Sequence, residues 1–376
     1  MNYLFISEML PINSSASEVI FYRHLKKLYE EGHTIHLLTD QNSYCRKSDQ
    51  LSSIFILHLL PNRKWYYPPY RPTGVFQKIR FLDYYYLYVK NLLNRNKIDH
   101  LIGFIYSDFL APFSAFVQEK SKLPMTSFLH DDPLELHIHK CTSALKFNVA
   151  RVMSASKNIL VVSETFHKNW PEFESKFKML YPIPETHHPT TYPEQKPGLR
   201  SFGYSGTIYN ELVNPIEKTA IVLEKLNIGF KLIGDNKRIH VLLQNIPSLE
   251  HIPSFKTAEE ANAYLVCNCS ACIIPYPLDP KDMPWIQTCF PSKFIQYCQL
   301  NLPTIIIAPA ASALGKWCIQ HNWLLYTDSY EPSSIEFLIK HVLPGSAVKK
   351  QVERFRENEF NPEKIHQLFS NYIAFD

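Results

Sequence analysis

Residues 290–309 read FPSKFIQYCQLNLPTIIIAP, a pattern that predicts a short helix, a tight turn and then a buried strand. Pro291 has the fixed φ suited to a first helical turn, and Lys293 lies close to that helix start, where free backbone N–H groups and the macrodipole attract anions. Gln296 lies three residues further along, on the same helical face. The β-branched run 304–307 is typical of a buried strand. The segment fits a site that holds a phosphate and a sugar hydroxyl, and it fits equally an ordinary surface helix before a core strand.

The length, net charge and cysteine content of the chain limit the classes of protein to which it can belong. At 376 residues it is too long for one small core, so two domains are expected. A net charge of +4 is too mild for a nucleic-acid partner. The first ten residues lack the basic region and cleavage site of a secretory signal, and no apolar run reaches transmembrane length. Because the eight cysteines fit free thiols in a reducing compartment, we expect a cytoplasmic location.

The first half of the chain alternates apolar strand patterns with helical periodicity. Residues 3–6 and 34–39 predict strands that flank a helix over 18–31, with Gly32 following the helix as its C′ residue. This start implies a parallel sheet with a right-handed crossover. Further strands are predicted at 54–60, 100–105, 125–130 and 159–162, and further helices at 82–93 and 144–155. The sequence therefore predicts a doubly wound α/β domain over residues 1–185.

Residues 181–200 break this rhythm with five prolines and two adjacent histidines, so we place an interdomain linker at 186–200. A second α/β series follows, with strands at 201–205, 230–233 and 272–276 and helices at 215–226 and 258–265. The segment 290–309 comes after them. This series predicts a second doubly wound domain over 201–345. The polar helices over 346–376 are expected to pack back toward the N-terminal domain. Two such domains joined by a hinge place a ligand cleft between the carboxyl ends of their sheets.

Neither domain carries the glycine fingerprint of a dinucleotide site or the P-loop of a nucleotide hydrolase. Residues 204–207 (YSGT) stand instead at the predicted carboxyl end of the second domain's first strand. Gly206 would let the backbone approach a ligand closely, or it is a simple strand-to-loop glycine.

His130 and Asp131 follow another predicted strand at its carboxyl end. A histidine beside a carboxylate can accept a proton or orient an acceptor hydroxyl. Asp132 before Pro133 is also a good N-cap and N1 pair, which would make His130 incidental. Both interpretations can hold together.

Two groups of residues resemble metal ligands: His130, Asp131, His137, His139 and Cys141, and then Cys267, Cys269 and Cys272. Neither group has the paired spacing of a zinc module, so we predict no metal.

Residues Lys64 to Lys97 interleave basic side chains with tryptophan and tyrosine. This composition fits peripheral contact with a membrane interface or an amphiphilic acceptor. It fits equally a helix that packs on a sheet with its tyrosine hydroxyls in water.

Residues 290–309 resemble the donor-site signature of GT-B glycosyltransferases, especially the retaining family 4. In that family a phosphate-facing helix start, P-S-K-x-x-E-Y, precedes a turn, a proline and an apolar strand. Residues 202–207 (FGYSGT) resemble the glycine loop that opens the family's nucleotide domain, and residues 160–164 (LVVSE) resemble a strand end near the close of its acceptor domain. His130 and Asp131 match a common acceptor-side pair. The resemblance spans most of the chain and implies two Rossmann-like domains that face each other across a cleft.

The resemblance also implies roles for individual residues. His130, Asp131 and Lys293 become the catalytic candidates. The implied donor-binding residues are Gly206, Thr207, Lys237, Arg238, Thr288, Ser292, Lys293 and Gln296. Asn13, Ser14 and Ser15 replace the family's glycine-rich loop on the acceptor side.

Two positions depart from the family pattern. Gln296 stands where a glutamate usually holds the ribose hydroxyls, and an amide can still donate to and accept from a diol. Thr288 stands where a second glutamate usually contacts the donor sugar. Because the basic pair after the glycine loop is missing, the candidates for the diphosphate are Lys293, Lys237 and Arg238.

The resemblance implies a hexosyltransferase-like enzyme that moves a sugar from a nucleotide-diphosphate donor to a hydroxyl of a glycan or lipid-linked acceptor. It would be retaining, would need no cofactor or metal, and would serve cell-surface polysaccharide or glycoconjugate biosynthesis in the cytoplasm or at the inner face of the membrane. Two alternatives stay open: a catalytically weak GT-B-like protein that binds a nucleotide sugar, which Gln296 and Thr288 motivate, and a sugar-nucleotide epimerase of the same two-domain form.

Overall fold

The computed structural model describes residues 1–14, 16–60, 75–106, 109–136, 143–185, 201–235, 239, 243–244 and 246–374. The predicted linker at 186–200 lies outside these residues, as do Ser15, Lys237 and Arg238. The chain divides into a first unit, Met1–Leu180 with His366–Asp376, and a second unit, Tyr181–Ile365.

The first unit is built on a parallel sheet of seven strands in the order β3-β2-β1-β4-β5-β6-β7. The strands are β1 Asn2–Ile6, β2 Thr34–Asp40, β3 Phe55–Leu60, β4 His100–Phe104, β5 Met125–Leu129, β6 Asn158–Val161 and β7 Phe177–Met179. Its helices are α1 Ala16–Glu30, α2 Gln41–Lys47, α3 Val75–Arg95, α4 Leu110–Ser121, α5 Pro133–Leu136 and α6 Ser143–Ala155, with short 3-10 turns at Ser48–Gln50, Glu164–Lys168 and Pro171–Lys176.

The core of the first unit explains why its central strands read as continuous apolar runs. Strand β1 has neighbours on both sides and is covered on its faces, so alternation with polar residues is absent. Phe21 of α1 packs against Phe5, Phe104 and Phe128, with ring centroids 4.8–5.3 Å apart. Gly32 follows α1 with a left-handed φ of +87°, as its C′ position requires.

The second unit holds a parallel sheet of six strands in the order β10-β9-β8-β11-β12-β13. The strands are β8 Ser201–Ser205, β9 Gly229–Ile233, β10 Leu249–Ile252, β11 Ala271–Pro275, β12 Thr304–Ile307 and β13 Tyr326–Thr327. Its helices are α7 Val213–Lys225, α8 Ala258–Asn268, α9 Ser292–Gln299, α10 Ala313–Gln320, α11 Pro332–Phe337 and α12 Ser346–Glu357, with short turns at Asn210–Leu212 and Pro284–Gln287 and a π-helical turn at Leu338–Val342. Helix α13, Pro362–Ile373, ends the described chain.

Both sheets have the strand order of a doubly wound α/β fold, so the predicted fold class of two such sheets is confirmed. The order reverses between β1 and β4 in the first unit and between β8 and β11 in the second. Ligands bind at this switch point in open α/β sheets, outside the carboxyl ends of the strands.

Residues 290–309 form α9 and β12. The predicted start of the helix shifts by one residue, because Pro291 has an extended ψ of 115° and is the N-cap rather than the first helical residue. Phe294 anchors α9 by packing edge-to-face on Trp317, Trp323 and Phe360, at 5.0–5.6 Å between ring centroids. The helix start is therefore held on a rigid aromatic core.

Among the helices that the structure describes, none is both long enough and apolar enough to cross a membrane.

Candidate functional site

Two glycine turns meet at the carboxyl edge of the second sheet. Gly206 follows β8 with a φ of +125°, and Gly234 follows β9 with a φ of +148°. A Cβ atom on Gly234 would lie 2.3 Å from the carbonyl oxygen of Gly206, so no other residue fits there without displacing the backbone. Gly206 itself is exposed. The sequence analysis missed Gly234, although its position directly after a strand matches that of Gly206.

Lys293 reaches from the first turn of α9 to the Gly206 turn. Its Nζ donates to the Tyr204 hydroxyl at 2.5 Å and lies 4.0 Å from the centroid of the same ring. A Cβ on Gly206 would stand 3.2 Å from Nζ, so the cation lies directly beside the turn. Among the described residues Lys293 forms no ion pair, and burial lowers its pKa to about 7. We call Gly206, Gly234, Lys293 and the start of α9 the cradle.

A second tyrosine fastens α9 to the strand beneath the cradle. The Tyr297 hydroxyl accepts from the backbone N–H of Ser205 at 2.8 Å and donates to the Ser205 carbonyl at 3.3 Å. Tyr297 is fully buried, and this burial raises the pKa of its hydroxyl, which stays neutral. The distance between the β8 turn and the helix start is thus fixed by side-chain hydrogen bonds.

The other predicted donor-side residues lie in different surroundings. Ser292 is exposed as the first residue of α9, and Thr207 is exposed beside Gly206. The Oε1 atom of Gln296 accepts from the backbone N–H of Glu185 at 3.0 Å. Thr288 is only 2% exposed. The structure therefore brings Gly206, Thr207, Ser292 and Lys293 to one edge, while Thr288 lies in the interior and Gln296 contacts the chain near the linker.

In the first unit, His130 follows β5 and is buried, with its ring stacked on Phe21 at 5.1 Å. Its Nδ1 lies 2.8 Å from the Ser17 hydroxyl. Burial lowers the pKa of His130 to about 3, so the imidazole is neutral. Asp131 is half-buried beside it.

Asp132 has a structural role, because both oxygens of its carboxylate accept hydrogen bonds from within the first unit. Its Oδ1 accepts from the backbone N–H of Leu134 at 2.9 Å, and its Oδ2 accepts from the indole of Trp170 at 3.0 Å. The capping interpretation of Asp132 is confirmed, and His130 and Asp131 lie at the strand end where the sequence placed them.

The predicted acceptor-side loop begins close to a charged pair. Asn13 is exposed, whereas the Ser14 hydroxyl donates to Glu18 at 3.0 Å. Glu18 is buried and forms an ion pair with Lys47 of α2. Polar groups therefore cluster near the carboxyl ends of β1 and β2.

Buried neutral histidines predict that acid destabilises the first unit. Burial lowers the pKa of His100 to about 4, and that of His130 further. Since an unfolded histidine has a pKa of about 6.5, the unfolded state binds more protons below that pH, and the free energy of unfolding falls by up to about 1.4 kcal/mol per pH unit for each group. Urea unfolding between pH 7 and pH 5 measures this slope. His100→Asn should flatten it, and an unchanged slope would contradict the assignment.

No protein-family model and no curated protein sequence matches this chain. Solved structures do match it. Sucrose-phosphate synthase from Thermosynechococcus elongatus is 13% identical, over 98% of this chain and 97% of its own, with a TM-score of 0.68. Anabaena HepE in complex with UDP and glucose is 12% identical, over 99% and 98%, with a TM-score of 0.65. The lipopolysaccharide outer core galactosyltransferase WaaB is 11% identical, over 99% of both chains, with a TM-score of 0.60.

At these identities the similarity is one of fold. The neighbours are GT-B glycosyltransferases, and the two parallel sheets of this chain match theirs, so the predicted GT-B class of fold is confirmed. Membership of the retaining family 4 stays a prediction.

Proposed function

We propose that this protein is a glycosyltransferase that binds a nucleotide-diphosphate sugar on its second unit. The observation that carries the proposal is the position of Lys293, an unpaired cation among the described residues, beside a glycine turn and a helix start at the switch point of the sheet. Backbone N–H groups of a first helical turn lack intrahelical acceptors and favour an anion. Neighbours of the same fold support this, since HepE was determined with UDP, with UDP and glucose, and with UDP-glucose.

In the proposed reaction the anomeric carbon exchanges its bond to a diphosphate oxygen for a bond to the acceptor oxygen, and the acceptor loses a proton. Lys293 and the start of α9 stabilise the charge that develops on the leaving diphosphate. Gly206 and Thr207 let the phosphates approach the backbone, and Ser292 adds a hydroxyl. A cation and a helix start supply this charge, so we propose a metal-independent transfer without a cofactor. Retention of configuration is proposed on the resemblance to family 4 alone.

The remaining predicted residues complete the proposal. The resemblance to GT-B enzymes assigns the ribose to Gln296, the donor sugar to Thr288 and part of the diphosphate charge to Lys237 and Arg238. Thr288 is buried and Gln296 is hydrogen-bonded to the backbone of Glu185, so contact with a donor requires both side chains to move. On the acceptor side, neutral His130 orients the hydroxyl and Asp131 takes up its proton. The proposed polar contacts to the acceptor come from Asn13, Ser14 and Ser15.

The cellular setting is proposed from the resemblance to GT-B glycosyltransferases. A glycan or lipid-linked acceptor fits cell-surface polysaccharide or glycoconjugate synthesis in the cytoplasm or at the inner face of the membrane. Within the Lys64–Lys97 segment, Leu87 and Tyr88 of α3 are exposed and provide apolar surface. Cosedimentation with anionic vesicles tests the membrane contact, and protein that stays in the supernatant argues against it.

A thermal-shift panel of UDP, GDP, ADP and their sugar conjugates tests the donor site. A nucleotide at about 100 times its Kd should add about 2.7 kcal/mol to the free energy of unfolding. The matching nucleosides are the control, because they carry no phosphate for the cradle and should stabilise the chain less. If no nucleotide shifts the transition, the proposal is wrong.

A nucleotide-sugar-binding protein of low activity is the second candidate. The burial of Thr288 and the contact of Gln296 with the backbone of Glu185 favour it. Donor hydrolysis or sugar transfer by the purified chain would exclude it. An epimerase would instead convert the donor with no acceptor present.

A further inference from the structure

Tyr204 lies in strand β8, two residues before Gly206, with its side chain fully buried under the cradle. Its hydroxyl donates to the carbonyl of Thr207 at 3.0 Å and accepts from Nζ of Lys293 at 2.5 Å. One hydroxyl therefore joins the loop after β8 to the cation on α9, across 89 positions of sequence.

We propose that Tyr204 is a positioning residue for the donor diphosphate: its hydroxyl and its ring hold the Nζ of Lys293 beside Gly206, where a diphosphate would meet it. This inference rests on the proposed function, because it requires a diphosphate to bind at the cradle. The motif at 204–207 includes Tyr204 but does not indicate this role, because the partner Lys293 lies 89 positions further along the sequence.

The geometry gives the hydroxyl a fixed direction. Because its proton is donated to Thr207, the oxygen presents lone pairs to the ammonium of Lys293. Nζ also lies 4.0 Å from the centroid of the Tyr204 ring, whose face attracts a cation. Both contacts favour the protonated lysine over the neutral amine.

Burial opposes the charge of Lys293. Burial lowers its pKa to about 7, and the group that raises it is Cys289. Burial raises the pKa of the Tyr204 hydroxyl, with Tyr209 adding to the effect, so no tyrosinate forms beside the lysine. The hydrogen bond that Tyr204 accepts from Nζ favours the protonated lysine against this burial, so its loss should reduce the charged fraction of Lys293 near neutral pH. Above pH 7 part of Lys293 is neutral. A bound diphosphate would favour the ammonium form, so Lys293 would take up a proton on binding.

Calorimetric titration with UDP, GDP and ADP between pH 6 and pH 9, in two buffers of different ionisation enthalpy, tests this role. The wild type should bind one of them with uptake of up to one proton above pH 7, and its affinity should fall as the pH rises. Tyr204→Phe keeps the ring but loses the acceptor, so its affinity should fall at a lower pH than in the wild type. At pH 7.5 we expect a loss of about tenfold, the size of one hydrogen bond to a charged group.

Tyr330→Phe is the matched control, because the Tyr330 hydroxyl also donates to a backbone carbonyl in the same unit, that of Tyr276 at 2.9 Å. It should keep the affinity and the pH profile of the wild type. A Tyr204→Phe variant with a wild-type profile overturns the positioning role and leaves the proposed function standing. Lys293→Met should lose both the proton uptake and the pH dependence, and a Lys293→Met variant that keeps them also overturns the role, even if Tyr204→Phe fails to fold. A wild type that binds none of the three nucleotides overturns both.

Discussion

Replacement of Lys293 by methionine is expected to lower turnover of the donor by about 10²–10³-fold, the loss typical of one preorganised group that stabilises developing charge. The reason is that Lys293 supplies positive charge to the cradle. Its Nζ lies 2.5 Å from the Tyr204 hydroxyl and beside Gly206. The free energy of unfolding should change little, because methionine fills a similar volume and among the described residues no ion pair is broken. Release of nucleoside diphosphate from the donor that the thermal-shift panel identifies, together with urea unfolding, measures both quantities.

Lys218→Met is the matched control for this variant. Lys218 of α7 also lies over a tyrosine ring, with its Nζ 5.6 Å from the centroid of Tyr330, so the substitution removes the same kind of contact from the same unit. It should retain turnover. Equal activity per folded molecule in the wild type and Lys293→Met would contradict the donor site, as would equal losses in the two variants.

Most of the fold follows from hydrophobic periodicity. Strand β12 occupies the predicted residues, and α1 runs over 16–30 where 18–31 was predicted, because buried parallel strands and amphipathic helices leave strong local patterns. Strands β7, β10 and β13 were not predicted. They have two to four residues and lie at the edges of their sheets, where a strand is defined by its one neighbour rather than by its own composition.

The candidate site was predictable only in part. Gly206 and Lys293 carry local signals, namely a glycine after a strand and a basic residue at a helix start. Tyr204 and Gly234 gain their roles from residues distant in sequence: Tyr204 from Lys293 on α9, and Gly234 from the carbonyl of Gly206 on the neighbouring strand. Those contacts depend on β8 lying between β9 and β11, which periodicity alone does not reveal.

The shape of the cradle depends on backbone contact as well as on charge. Gly206 donates its N–H to the Ile233 carbonyl at 2.9 Å, and Gly234 donates to the Ile252 carbonyl at 3.1 Å. Each glycine turn is thus hydrogen-bonded to the end of the next strand. A change in one turn is therefore transmitted to the residue against which Lys293 lies.

Gly234→Ala is the variant expected to damage this edge most. A φ of +148° is already unfavourable for alanine, and its Cβ would overlap the carbonyl oxygen of Gly206 at 2.3 Å. Together these should destabilise the second unit by about 3 kcal/mol or more, since left-handed backbone alone costs about 1–2 kcal/mol. Hydrogen exchange of peptides from β8 and β9 localises the loss, and nucleotide affinity should fall with it because the Gly206 turn must move.

Two other glycines separate crowding from backbone strain. Gly32→Ala has a φ of +87° and no atom within 4 Å of the new Cβ, so it should cost only the strain of about 1–2 kcal/mol. Gly206→Ala meets only the flexible end of Lys293, at 3.2 Å, so it should cost a similar amount of stability while it displaces the cation and weakens nucleotide binding. If Gly234→Ala proves no less stable than Gly32→Ala, the two turns do not make the contact that shapes the cradle, and the position of Lys293 needs another explanation.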